Sequence, residues 1–248
     1  MTMKTKLLLF LLFPLFAFSQ EVATNSNKLE KRTTTLSDIH FGFNNFINSE
    51  SNIVSETDYS LKSLNSVSLS LNYYAKTKIF KNNFFFLKYG LGLTSNNYKF
   101  SRQVQLIENE NSISFLISDN EVKKSKLATL FLHCPLMIQL DLKNENDDSK
   151  FNLAIGPFIG YMLKAKSKFI YTDSDGKLNK EKEKSDFSLN KIRYGLQAEI
   201  GYINANFYFK YHLSSLFIDE RGPEEITIVD FGLRSFITPL IKRIKKGD

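Results

Sequence analysis

The feature that most constrains this chain is a hydropathy period of two. From about residue 37 onward, apolar side chains recur at every second position in one segment after another. This is the period of a β-strand with two unlike faces, and a helix cannot present it. Eight segments are legible, centred on Ile39–Phe43, Val67–Tyr73, Leu87–Leu93, Leu130–Leu140, Phe151–Tyr161, Ile192–Tyr202, Phe207–Leu213 and Val229–Leu233. The chain is therefore read as all-β.

Alternation does not say which face is inside. A soluble lipocalin-like ligand-binding barrel hides its apolar face, whereas a membrane barrel shows it to lipid. Three observations favour the membrane arrangement. The polar face carries the strand glycines Gly42, Gly90, Gly92, Gly156, Gly160, Gly195, Gly201 and Gly232, and an eight-stranded lumen has little room for side chains. Charges on that face come in both signs: Lys88, Arg193, Lys210 and Arg234 against Asp141, Glu199 and Asp230. The apolar face ends strands in Tyr73, Tyr161, Tyr202 and Tyr211, as an aromatic girdle would.

The connections alternate in length. Those near 76–83, 143–150 and 204–205 are short, and those near 49–60, 101–126, 164–187 and 214–225 are long. Outer-membrane barrels have short periplasmic turns and longer outside loops. The expected architecture is an eight-stranded antiparallel up-and-down transmembrane β-barrel over 37–237, with both termini periplasmic.

The rest of the sequence is consistent with export. Residues 1–19 combine a basic start, an apolar run from Leu7 to Phe16 and a small-x-small ending at Ala17-Phe-Ser19, the pattern of a cleaved signal peptide. Residues 20–36 are polar and read as a periplasmic linker, and 238–248 form a basic periplasmic tail. The single cysteine, Cys134, excludes an internal disulfide. Net charge is +7, but much of it lies in the leader and tail rather than on one face, so nucleic-acid binding is not expected.

Several segments together resemble the PorT-like outer-membrane β-barrel family of Bacteroidota. They are Phe131-Leu-His-Cys-Pro-Leu-Met-Ile-Gln-Leu140, Leu153-Ala-Ile-Gly-Pro-Phe-Ile-Gly-Tyr161, Asn97-Tyr-Lys-Phe100, Asp175-Gly-Lys177, Asp186-Phe-Ser-Leu-Asn190 and Gly222-Pro-Glu224. The resemblance spans residues 37–237 in order. It implies an eight-stranded outer-membrane barrel and does not imply a catalytic site. The partners to expect are outer-membrane lipids, the barrel-assembly machinery and an envelope protein partner.

Candidate chemistry is sparse. The strongest candidate set is a lumen charge network of Lys88, Asp141, Arg193, Glu199, Lys210, Asp230 and Arg234, with Arg193 or Arg234 pairing Glu199 or Asp230. His212-Leu-Ser214 has the base and nucleophile spacing of an outer-membrane lipid-modifying enzyme, with Glu220, Glu224 or Glu225 as orienter. The strand register turns His212 towards the lumen, away from lipid. Asp173-Ser-Asp-Gly176 reads as a turn rather than a calcium loop, because the flanking ligand positions hold Tyr171 and Lys182. The three histidines are expected at different heights and not as one metal site. No cofactor is expected.

Overall fold

A computed structural model describes residues 32–80, 84–109, 112–143, 150–202, 205–223 and 225–237. The expected leader, most of the linker, the basic tail, Glu224 and the middle of the 143–150 turn lie outside them. Eleven strands appear among the described residues: β1 (Thr33–Ile47), β2 (Val67–Lys78), β3 (Phe85–Lys99), β4 (Val104–Glu108), β5 (Ile113–Ile117), β6 (Glu121–Lys143), β7 (Lys150–Thr172), β8 (Leu178–Glu183), β9 (Ile192–Tyr202), β10 (Ala205–His212) and β11 (Thr227–Phe236). Eight of them close a ring in the order β1, β2, β3, β6, β7, β9, β10, β11, with β11 paired back to β1. Every pairing is antiparallel between chain neighbours of the ring, which is the up-and-down barrel the hydropathy period predicts.

Side chains alternate across the wall as the polar and apolar faces require. Leu69, Leu91, Leu132, Ile155, Leu196 and Phe231 stand exposed outside, while Ser70, Gln139, Gln197 and Glu199 are buried inside. This is the inverse of a lipocalin-like barrel, so the soluble reading does not fit. The lumen is narrow enough to select glycine. A Cβ on Gly92 would run into His133 and Asn72, and one on Gly42 into Tyr208 and the Phe231 carbonyl.

The strands run further than their apolar period. β1 begins at Thr33, where the Thr-rich segment read as linker pairs with β2 through Thr33–Thr77 and Leu36–Tyr74. β2 continues to Lys78, so Tyr73 is not at a strand end. The long connections are not bare loops either. The 101–126 connection contains the β4–β5 hairpin and the first residues of β6. The 164–187 connection carries β7 on to Thr172 and returns as β8. A register shift where Leu130 opposes Lys164 and Phe131 opposes Met162 exchanges inner and outer positions on β7 beyond Leu163. At the β7–β8 tip, Gly176 supplies φ of 77°. There Asp173 accepts from the Lys177 and Asp175 amides and from Asn179, bonds that hold its carboxyl below the usual carboxylate range. The segment is the turn the sequence suggests.

All four long connections feed one hydrophobic core. Val54 and Tyr59, then Val104, Leu106 and Ile113, then Phe187 and Leu189, then Leu216, Phe217 and Ile226 pack with Phe46, Tyr98, Leu127 and Phe131 at the long-loop end of the barrel.

Candidate functional site

The inner face of the barrel buries Lys88, Arg193, Lys210 and Arg234 with Asp38, Glu199 and Asp230. A charge enclosed in a narrow wall is costly unless paired and hydrogen-bonded. The antiparallel register places the partners in two layers.

The lower layer, towards the short turns, is centred on Glu199 of β9. Lys88 of β3 donates to Glu199 at 2.6 Å, and Arg234 of β11 donates to the same carboxylate. Arg234 also reaches Asn152 and Asn206 at 2.8 and 3.1 Å, while Gln197 donates to the other Glu199 oxygen at 2.8 Å. Asp38 of β1 accepts from Asn72 at 2.8 Å and lies 3.9 Å from Lys88. His40 sits 3.2 Å from Asp38 and stacks on Tyr208. The Lys88 ammonium also lies 3.8 Å over the Tyr74 ring.

The upper layer is looser. Arg193 of β9 donates to the Tyr98 hydroxyl at 3.0 Å and lies 4.0 Å over the Phe131 ring. His212 of β10 lies 2.9 Å from Asp230 of β11. Lys210 opposes Asp230 across the β10–β11 pair. A cavity of about 20 Å³ lies between Arg193, Lys210, His133, His212 and Asp230, room for about one water. Among the described residues the middle of the lumen is thus filled by side chains.

Six of the seven expected network residues lie in these two layers. The seventh, Asp141, does not: it is at the short-turn rim, bonded to Lys76 and to Gln139. A cleft of about 220 Å³ opens there, lined in part by Lys76, Lys88, Asp141, Asn152, Asn206 and Arg234. Asp38 and Lys76 are participants that the sequence reading missed. Asp38 shares parity with His40 but precedes the first clear apolar alternation. Lys76 follows Tyr74 on the inner face of β2, beyond Tyr73 where the apolar alternation stops.

Asp38, His40 and Glu199 offer three donor atoms within 4.8 Å of one another. Lys88 and Arg234 already occupy Glu199, and their charges oppose a cation there. The geometry is that of an ion-pair network rather than a metal centre. His212 is oriented by Asp230, not by Glu220 or Glu225, and it faces the lumen. The Ser214 hydroxyl accepts from the Tyr194 amide at 3.3 Å. The pair therefore does not present a nucleophile to lipid.

A second cleft, of about 520 Å³, lies on the long-loop end between Glu56, Thr57, Asp58, Tyr59, Ile113, Ser114, Phe115 and Pro223. Arg102 ties its wall by donating to Asp58 at 2.8 Å. Beside it, Leu116 and Ile117 of β5 are exposed.

Comparison with known proteins adds the following. A family model described as outer membrane protein beta-barrel domain matches residues 18–218. Among solved structures, two of Ail, the attachment invasion locus protein of Yersinia pestis, are similar. One covers 83% of this chain and 100% of Ail at 12% identity with a TM-score of 0.26. The other, in complex with the heparin analogue sucrose octasulfate, covers 81% of this chain and 97% of Ail at 11% identity with a TM-score of 0.27. No curated protein matches.

Proposed function

The chain belongs to the outer membrane protein β-barrel domain family, and from that premise we propose that it is a non-enzymatic envelope protein whose long-loop end binds a protein partner outside the cell. One observation carries this reading: the four long connections are packed into a common hydrophobic core. Loops that served only to link strands would have no need of one. A packed platform holds a fixed surface, and fixed surfaces lose less entropy on binding. The cleft by Tyr59 and Phe115 and the exposed Leu116 and Ile117 are openings on it that a partner could fill.

Orientation follows the family rule that outside loops are the longer ones. On that rule β1 starts and β11 ends in the periplasm, and the composition of the leader at 1–19 supports a signal peptide removed on export. The narrower membership we propose is the PorT-like group of Bacteroidota, supported by the ordered motifs between Asn97 and Glu224.

The test is a cross-linked pull-down of the tagged full chain from detergent-solubilised envelopes. Ser114→Arg fills the cleft, and Leu116→Asp with Ile117→Asp alters the patch beside it. A specific envelope protein should co-purify with the parent chain and be lost from both variants while the barrel still folds. Identical captures from parent and variants would overturn the platform reading.

A further inference from the structure

Beyond the apolar belt, the outer wall changes abruptly. On β7 the exposed Leu163 is followed by Lys164, Lys166 and Lys168, all facing outward because Ala165, Ser167 and Phe169 are buried. Lys168 is directly opposite Lys126 of β6 and Lys182 of β8. Lys126 is in turn opposite Lys99 of β3. Four lysines thus form one unbroken row across four adjacent strands.

On β8 the charges alternate by register. Its lysines share the outward face with Lys168, whereas Glu181 and Glu183 pair in register with the inward Phe169 and Ser167. Both glutamates are solvent-exposed, and Glu181 accepts from Gln105 and Tyr171. Among the described residues no lysine of the row is in an ion pair. Lys126 has one neutral partner, Asn97, at 2.5 Å. Like charges directly opposite on a sheet repel and destabilise it. A row of four without carboxylates calls for anions from outside the chain.

The position says where those anions are. The row lies four residues past Leu130 on β6, about 13 Å along the strand and about 10 Å above the belt at a tilt of ~40°. It lies on the side wall, not on the top. A bilayer that covers Leu163 must bring its headgroups against this wall, and a soluble partner would have to displace them.

We infer that the row Lys99, Lys126, Lys168 and Lys182, with Lys164 and Lys166 below it, is a binding surface for the phosphate groups of anionic lipid headgroups in the leaflet at the long-loop end. The assignment to the outer leaflet rests on the orientation proposed above. The chemistry needs only the belt and the row.

The experiment therefore places the refolded full chain in nanodiscs with the same lipids in both leaflets. Three bilayers are compared: phosphatidylcholine alone, phosphatidylcholine with bisphosphorylated lipid A, and phosphatidylcholine with dephosphorylated lipid A. A fourth arm adds inorganic phosphate to the first. Acylation of each lysine is read by mass spectrometry, and thermal unfolding in parallel. Phosphorylated lipid A should slow acylation of Lys126, Lys168 and Lys182 by about fivefold each, the factor for an attraction of about 1 kcal/mol per surface lysine. It should also raise the unfolding midpoint. The triple variant Lys126→Gln, Lys168→Gln, Lys182→Gln should lose that rise and, relieved of repulsion, be no less stable in phosphatidylcholine. Equal acylation in all bilayers, equal protection by dephosphorylated lipid A, or protection by inorganic phosphate alone would overturn the inference. Because the acylation arm uses the parent chain, it decides the matter even if the triple variant fails to fold. A failed pull-down at the loop cleft would leave the result untouched.

Discussion

Glu199 holds the lower lumen layer together, because Lys88 and Arg234 converge on its carboxylate from β3 and β11. Its side chain is buried, so removing it strands two cations. Glu199→Ala should lower the unfolding free energy by roughly 3–5 kcal/mol in a dry lumen, measured by urea titration of the barrel in detergent micelles. A loss well below that would mean that water reaches the pair through the cleft near Arg234. Parity alone places Arg234 and Glu199 on the polar face, and it leaves open whether Arg193 or Arg234 pairs with Glu199 or Asp230. Nor could Asp38 and His40 be assigned to Glu199 from parity. Parity fixes the face of a residue, but which residues meet across the lumen depends on strand tilt and register around the whole ring. Asp141 shows the limit: its parity is correct, but its position near the end of β6 leaves it with Lys76 at the rim.

At the scale of the element, the two faces of a strand should tolerate substitution differently. Leu132 is 39% and Leu196 47% exposed, both within the apolar belt, whereas Ser70 is 1% exposed on the lumen side. Leu132→Arg or Leu196→Arg should destabilise by roughly 2–4 kcal/mol, and Ser70→Asn by less, read from unfolding midpoints in lipid vesicles. Equal tolerance would contradict the inside-outside assignment. The membrane strands were legible because lipid imposes an apolar face on them. Above the belt that constraint disappears, and so did the signal. Leu178-Asn-Lys-Glu-Lys-Glu183 alternates as strictly as any strand, but in charge rather than hydropathy, and it resembles a solvated run. The β4–β5 hairpin and the loop core were hidden for a related reason: their apolar residues are scattered over four connections and meet only in three dimensions. Glu108 at the end of β4 accepts from the Ser188 amide at 3.0 Å and from the Ser185 hydroxyl, beside Phe187 at φ of 49°. This clamp joins two connections at a strained point. Glu108→Ala should speed amide exchange at Ser188 and Leu189 while leaving the heat stability of the barrel nearly unchanged. A barrel that melts early would show the platform and wall to be one cooperative unit.

For the whole molecule, the decisive fact is closure. β1 pairs with β11 from Asp38–Phe236 to Ile47–Thr227, so the ring leaves none of its eight wall strands without a neighbour. Opening it in lipid would expose two rows of backbone donors and acceptors to a solvent that cannot satisfy them. Such a molecule has no cheap partial unfolding of its wall. It should fractionate with outer membranes, require detergent for extraction, and run on a gel at a different apparent mass before and after boiling. Closure itself can be tested by ending the chain at Ile226. The ten outward and inward positions of β11 would be lost, including Arg234 from the Glu199 pair, and β1 and β10 would become bare edges. Bare apolar edges aggregate. The truncated chain should therefore lose the boiling-dependent shift and sediment with insoluble material. If it still shifted on boiling, the seven remaining wall strands would have to close without β11, and the β1–β11 seam would not be what completes the barrel.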